Sequence, residues 1–119
     1  MPTHNLPNVS EFKIQSQCFL YHWNNYPHER GRLFTVNNNS DNKVRAVINQ
    51  SMGVVPGVAD MMYLSDTGLI AIEFKTVTGR QSEVQKRWQE TIEAAGYRYH
   101  IVRSLDDFLK AINKPTTNQ

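Results

Sequence analysis

Asp60, Glu73 and Lys75 are the residues of this 119-residue chain whose types and spacing point to chemistry. The runs Ala59 to Leu64 and Leu69 to Thr76 are strand-like, and Ser65, Asp66, Thr67 and Gly68 between them are turn formers. The segment reads as a β-hairpin. With Leu64 facing Leu69, counting back along both strands sets Asp60 opposite Glu73, and directly opposed residues project from one face. Side chains alternate along a strand, so Glu73 and Lys75 share that face while Ile70, Ile72 and Phe74 share the other.

Two carboxylates opposed in this way, with Cβ atoms about 5 Å apart, repel one another unless a positive charge lies between them. A divalent cation supplies that charge. Carboxylate oxygens without a thiol or imidazole suit a hard ion such as Mg²⁺, which combines a few carboxylates with waters and phosphate oxygens. Such an ion lowers the pKa of bound water and stabilises the charge on a phosphodiester during in-line attack. The expected chemistry is metal-dependent phosphodiester hydrolysis. The competing reading makes Glu73 and Lys75 a solvated face and Asp60 the start of a strand. The Pro56-Gly57 turn ahead of the aspartate, and the way Glu73 interrupts a very apolar strand, favour a site.

The elements that must position these groups follow from pattern. Ser10 is a candidate cap for a helix with Glu11 in its first turn and Phe12, Ile14, Cys18, Phe19, Leu20 and Trp23 as apolar positions, ended by Pro27. Arg32 to Val36 reads as a short strand, Asn37 to Asp41 as a polar loop, and Lys43 to Ser51 as a short helix. After the hairpin, Ser82 and Gln85 form a capping-box pattern ahead of Val84, Trp88, Ile92 and Ala95, with Gly96 closing the helix. Tyr97 to Val102 reads as a strand, and Ser104 caps a final helix through Leu105, Phe108, Leu109 and Ile112. The order α-β-α-β-β-α-β-α argues an α/β fold, a mixed sheet flanked by helices. Glu11 either faces the hairpin site or sits at an exposed first turn where the helix dipole favours it.

Length and a 39% hydrophobic content bound the chain to one domain with one core, expected over residues 9–113, with residues 1–8 and 114–119 as flexible ends. No run approaches a membrane span, and Met1 to Asn8 lacks the apolar stretch of a secretory signal, so a cytoplasmic location is expected. The single cysteine, Cys18, excludes an internal disulfide and a multi-cysteine zinc site and reads as core filling. His4, His22, His28 and His100 lack metal-ligand spacing and read as surface or packing residues. The formal net charge of +2 is compatible with a nucleic-acid partner, with Lys75, Arg80, Lys86 and Arg87 gathered near the candidate site.

Several of these residues carry a family resemblance: GVVPGVAD at Gly53 to Asp60, IEFKT at Ile72 to Thr76, Gly79-Arg80-Gln81-Ser82 leading to Gln85, and VRS at Val102 to Ser104. Together they resemble the VRR-nuclease family of the PD-(D/E)xK, or restriction-endonuclease-like, superfamily, over nearly the whole chain. The small size is similar to the stand-alone versions encoded by bacteriophages and bacteria. The resemblance implies a restriction-endonuclease-like core and a metal-dependent DNA endonuclease. In it Asp60, Glu73, the backbone carbonyl of Phe74 and Glu11 would hold Mg²⁺ or Mn²⁺. Lys75 would contact the attacking water or the scissile phosphate, and Gln85 would orient lysine, water or phosphate, a role that competes with capping. Asn37, Arg80 and Ser82 are implied substrate contacts. One departure is Ala59, where relatives more often carry proline before the aspartate. Stand-alone members are associated with homodimers that cut branched DNA, including four-way junctions, and a two-fold dimer would present two sites to two related strands. The alternatives are a catalytically silent nucleic-acid-binding module and a nicking nuclease within a larger replication or recombination complex.

Overall fold

The computed structural model describes residues 9–36 and 43–117; Asn37 and the polar loop around it lie outside the described residues. Helix α1 (Val9–Asn25) includes Ser10, so that serine lies inside the helix rather than ahead of it. Pro27 opens a short 3-10 turn at Pro27–Glu29, a position where its missing N–H costs nothing. Strand β1 (Leu33–Thr35), helix α2 (Lys43–Ser51), strands β2 (Met61–Ser65) and β3 (Gly68–Phe74), helix α3 (Glu83–Ala94), strand β4 (Arg98–Val102) and helix α4 (Leu105–Ala111) follow.

The four strands form one mixed sheet in the order β1-β2-β3-β4. β1 and β3 run antiparallel to β2, whereas β4, reached through α3, runs parallel to β3. The hairpin pairs Leu64 with Leu69 as expected, but Ser65 also pairs with Gly68. The connection is therefore the two residues Asp66 and Thr67, shorter than the four-residue turn read from composition. Gly68 has φ 131°, which favours glycine there. Ser65 Oγ donates to the Gly68 carbonyl at 2.6 Å, and Arg98 Nη2 donates to Thr67 Oγ1 at 2.9 Å, tying the turn to β4.

Alternation along β3 divides the interior in two. Ile70, Ile72 and Phe74 join Leu33, Met61, Tyr63 and Val102 beneath Cys18 of α1 and Phe108, Leu109 and Ile112 at the end of the chain. On the opposite face Ala71 and Tyr99 meet Ile92, with Leu69 and Trp88 packed against them. Glu73 continues this second series, so its side chain emerges on the α3 face. Cys18 is fully buried, as core filling requires, and burial pushes its thiol up to about 12, with Asp107 adding repulsion. It is a packing group rather than a nucleophile. Val44, Val47 and Ile48 of α2 are exposed.

A buried polar cluster closes the end of the sheet away from Glu73. Glu29 accepts from Tyr63 Oη at 2.6 Å and Lys114 Nζ at 2.6 Å, and its Oε1 lies 3.0 Å from His22 Nε2. Burial alone would raise the Glu29 carboxyl, but the hydrogen bonds from Lys114, Tyr63 and His22 outweigh it and hold the group at about 2. His22, at 1% exposure, is thus a bonded core residue. Lys114 and Thr117, read from the sequence as part of a flexible tail, make contacts with the domain: Lys114 to Glu29, and Thr117 through N–H and hydroxyl to Asp106 Oδ1.

Candidate active site

Continuing the β2-β3 register one step past Met61↔Ile72 sets Asp60 against Glu73, at the open end of the hairpin. The Asp60 side chain turns back to the partner strand, where Oδ2 accepts the Phe74 N–H at 2.8 Å. In an antiparallel strand the N–H and C=O of one residue point to the same neighbour, so the Phe74 carbonyl is directed to the Asp60 side as well. No proline precedes Asp60, and hydrogen bonds fix its backbone instead. Its carbonyl accepts from the Val36 N–H at 2.9 Å and from Thr35 Oγ1 at 3.1 Å. Gln15 Nε2 of α1 donates to that same threonine hydroxyl at 3.3 Å. Thr35 and Gln15 are supporting residues that motif reading does not reveal, although Gln15 lies on the same helix side as Glu11.

Glu73 is 1% exposed. Its Oε2 receives a hydrogen bond from Gln85 Nε2 at 2.9 Å and lies 3.6 Å from Lys75 Nζ, while Oε1 is buried with no hydrogen-bond partner among the described residues. A buried carboxylate oxygen without a partner is costly. The cost appears as proton affinity: burial first, then repulsion from Asp60, raises the Glu73 carboxyl to about 8, with Lys75 opposing the shift and a side-chain hydrogen bond to the Asp60 carboxyl adding to it. Burial likewise raises Asp60, against the Phe74 N–H that favours its charged form. Lys75 is itself buried, and its backbone N–H donates to the Val102 carbonyl at 3.0 Å, which continues the β3-β4 ladder beyond the last paired residues.

These residues fit a hard divalent cation. Asp60 and Glu73 supply two carboxylates, and the unpartnered Glu73 oxygen is a ready ligand. Among the described residues no three His, Cys, Asp or Glu side chains come together as a complete metal cage. An ion held here would take further ligands from the backbone, water or a phosphate, as Mg²⁺ commonly does. Glu11 is half-buried in the first turn of α1 and adds a smaller repulsion to Glu73.

Gln85 caps α3 and also bonds Glu73, a partner other than the lysine, water or phosphate expected for its amide. Its backbone N–H donates to Ser82 Oγ at 3.2 Å, its Oε1 accepts the Ser82 N–H at 2.9 Å, and its Nε2 is left to donate to Glu73. Capping and site support do not compete, because they use opposite ends of one amide. Ser82 is exposed, with its hydroxyl engaged at the helix start, and Arg80 is exposed on the turn before it. Helix α3 is also set close to the loop that carries Asp60. A Cβ on Gly57, at φ 84°, would lie 2.5 Å from the Val84 carbonyl oxygen, so only glycine permits this approach.

No family model matches the sequence, and no curated protein matches it. A solved structure described as a VRR_NUC domain protein is similar, with a TM-score of 0.69 and 17% sequence identity over 91% of this chain and 88% of that one. Identity at this level speaks for the fold. The chain shares its fold with that VRR_NUC domain protein, and its four-stranded mixed sheet flanked by helices fits a restriction-endonuclease-like core.

Proposed function

We propose that this protein is a Mg²⁺- or Mn²⁺-dependent endodeoxyribonuclease, with Asp60 and Glu73 as metal ligands and Lys75 at the water or scissile phosphate. The observation that carries this reading is the orphaned, buried Glu73 oxygen beside a second carboxylate and a buried lysine. A buried oxygen of this kind is a costly feature for a purely structural ion pair to carry. Bound there, the metal would supply Lewis-acid activation of water. The protein's own groups then divide the remaining work. Asp60, held by Phe74, Thr35 and Val36, fixes one side of the site, and Gln85 fixes the rotamer of Glu73. Lys75 offers a positive charge to the negative charge that builds on the phosphoryl oxygens.

The substrate class we infer is branched DNA, including four-way junctions, cut by a homodimer in the host or bacterial cytoplasm. The fold similarity to a VRR_NUC domain protein and the sequence motifs support a nuclease. Two related cuts in one junction favour a two-fold assembly. Among the described residues no helix is long and apolar enough to cross a membrane. The test is incubation of the purified protein with junction, flap, nicked and linear DNA, with Mg²⁺, Mn²⁺ or chelator, alongside light scattering. Cleavage that needs metal and prefers branched DNA is expected. Retained DNA binding with no cleavage under any of these conditions would point instead to a silent binding module.

A further inference from the structure

Arg103 follows the strand residue that anchors Lys75, and its half-buried side chain turns toward the chain just beyond that lysine. The two hydrogens of its Nη1 serve three acceptors, the Thr76 carbonyl, the Gly79 carbonyl at 2.9 Å and the Val77 carbonyl at 3.3 Å, one hydrogen being shared. We propose that Arg103 is a positioning residue for the candidate site, gathering these three carbonyls so that the turn after Lys75 is held against β4.

The three acceptors belong to residues 76–79, the segment that leaves β3 at Lys75 and leads through Arg80 and Gln81 to the α3 cap at Ser82. Among the described contacts, the turn's own backbone supplies one hydrogen bond, from Gly79 N–H to the Thr76 carbonyl at 3.1 Å. That is weak closure for a loop joining two parts of a site. Arg103 adds a cation whose charge-assisted hydrogen bonds are stronger than neutral ones. The turn also folds onto the lysine: a Cβ built on Gly79 would lie 3.1 Å from Thr76 Oγ1 and 3.5 Å from Lys75 Cβ. Holding the turn therefore holds the base of the Lys75 side chain. Arg103 is itself fixed, since its backbone N–H donates to Asp107 Oδ2 at 3.1 Å in the first turn of α4. Neighbouring residues thus act as a pair, Val102 binding the Lys75 N–H and Arg103 binding the carbonyls that follow. Arg103 touches no reacting group in this account, and it acts through Lys75.

This inference rests on the nuclease reading for its consequence, but its geometry is testable without activity. Arg103→Met and Arg103→Lys should be compared with wild type by amide hydrogen exchange and by single-turnover cleavage of junction DNA with Mn²⁺. In Arg103→Met, amide exchange over residues 77–80 should speed up about tenfold or more, with β2 and β3 protection unchanged. The cleavage rate should fall about tenfold to a hundredfold while DNA affinity stays within about threefold, because a misplacement of about 1 Å at a catalytic group costs rate rather than binding. Arg103→Lys, which keeps a multi-donor cation, should recover part of both effects and guards against loss of fold in the methionine variant. Unchanged exchange over residues 77–80 in Arg103→Met would overturn the clamp whether or not the wild type cleaves DNA. Faster exchange with an inactive wild type would support the clamp and count against the nuclease reading alone. Weakened DNA binding with an unchanged cleavage rate would overturn the positioning role by making Arg103 a substrate contact.

Discussion

Gln85 and Glu73 are joined by a 2.9 Å hydrogen bond from the amide nitrogen to a carboxylate oxygen, while the other end of the same amide closes the cap of α3. The helix start and the candidate metal ligand therefore share one side chain. Gln85→Glu keeps an oxygen for the Ser82 N–H but removes the donor and places a second negative charge beside Glu73. We expect cleavage to fall about a hundredfold, the scale of losing a preorganised polar contact at a reacting centre. Ser82→Ala should cost about 1 kcal/mol of stability through the lost cap and leave the cleavage rate within about threefold. Urea unfolding and single-turnover kinetics on both variants check the division. Equal kinetic loss in the two would mean that the cap, not the Glu73 contact, matters.

Thr35 donates a hydrogen bond to the carbonyl of Asp60, an aspartate with no proline ahead of it. Thr35→Val removes that hydroxyl with little change in shape. A loss of about 1 to 3 kcal/mol in stability is expected from two neutral hydrogen bonds, the one to the Asp60 carbonyl and the one from Gln15, together with a weaker apparent affinity for Mn²⁺. Calorimetric titration of the metal reads the second effect directly, and unchanged affinity would show that Asp60 is held without it.

The protonation of Glu73 gives a pH signature. Its carboxyl is raised from 4.5 to about 8, so its contribution to stability is fully present below pH 4.5 and is lost as pH rises through about 8. A divalent cation favours the charged form and reverses the loss. Added Mg²⁺ should therefore raise the Tm by about 5 °C more at pH 8.5 than at pH 5.5. Thermal melts across this range with metal or chelator test the sign, and a metal shift that shrinks with rising pH would contradict the assignment.

Gly57 lets the Asp60 loop reach the first turn of α3. Gly57→Ala meets both an unfavourable φ and a contact with the Val84 carbonyl at 2.5 Å. A destabilisation of about 1 to 3 kcal/mol follows from backbone strain of this kind. Denaturant unfolding checks it, and a neutral substitution would mean that the loop and the helix separate without cost.

The hairpin was legible in the sequence because turn formers between two apolar runs define one register, and that register brings Asp60 to Glu73. The Ser82-Gln85 box was legible for a similar local reason. Long-range polar contacts were not. Glu29 meets His22 seven residues away, Tyr63 at 34 and Lys114 at 85, and no spacing rule links such positions. Thr35 and Arg103 donate to backbone carbonyls, whose acceptors every residue carries, and Gln15 donates to the Thr35 hydroxyl twenty residues away, so side-chain types alone leave no trace of these contacts. Ser10 falls inside α1 rather than ahead of it, a difference on the scale at which helix ends are poorly specified. The turn length failed for a related reason: Ser65 and Gly68 are turn formers by type but close the ladder by pairing.

The most direct test of the central claim is single-turnover cleavage of junction DNA with Mn²⁺ by wild type and by Lys75→Ala, with the fold of each checked by thermal melting. The account predicts metal-dependent cleavage by the wild type and a loss of at least about a hundredfold in the variant, with junction binding retained. Undiminished cleavage by folded Lys75→Ala would contradict it.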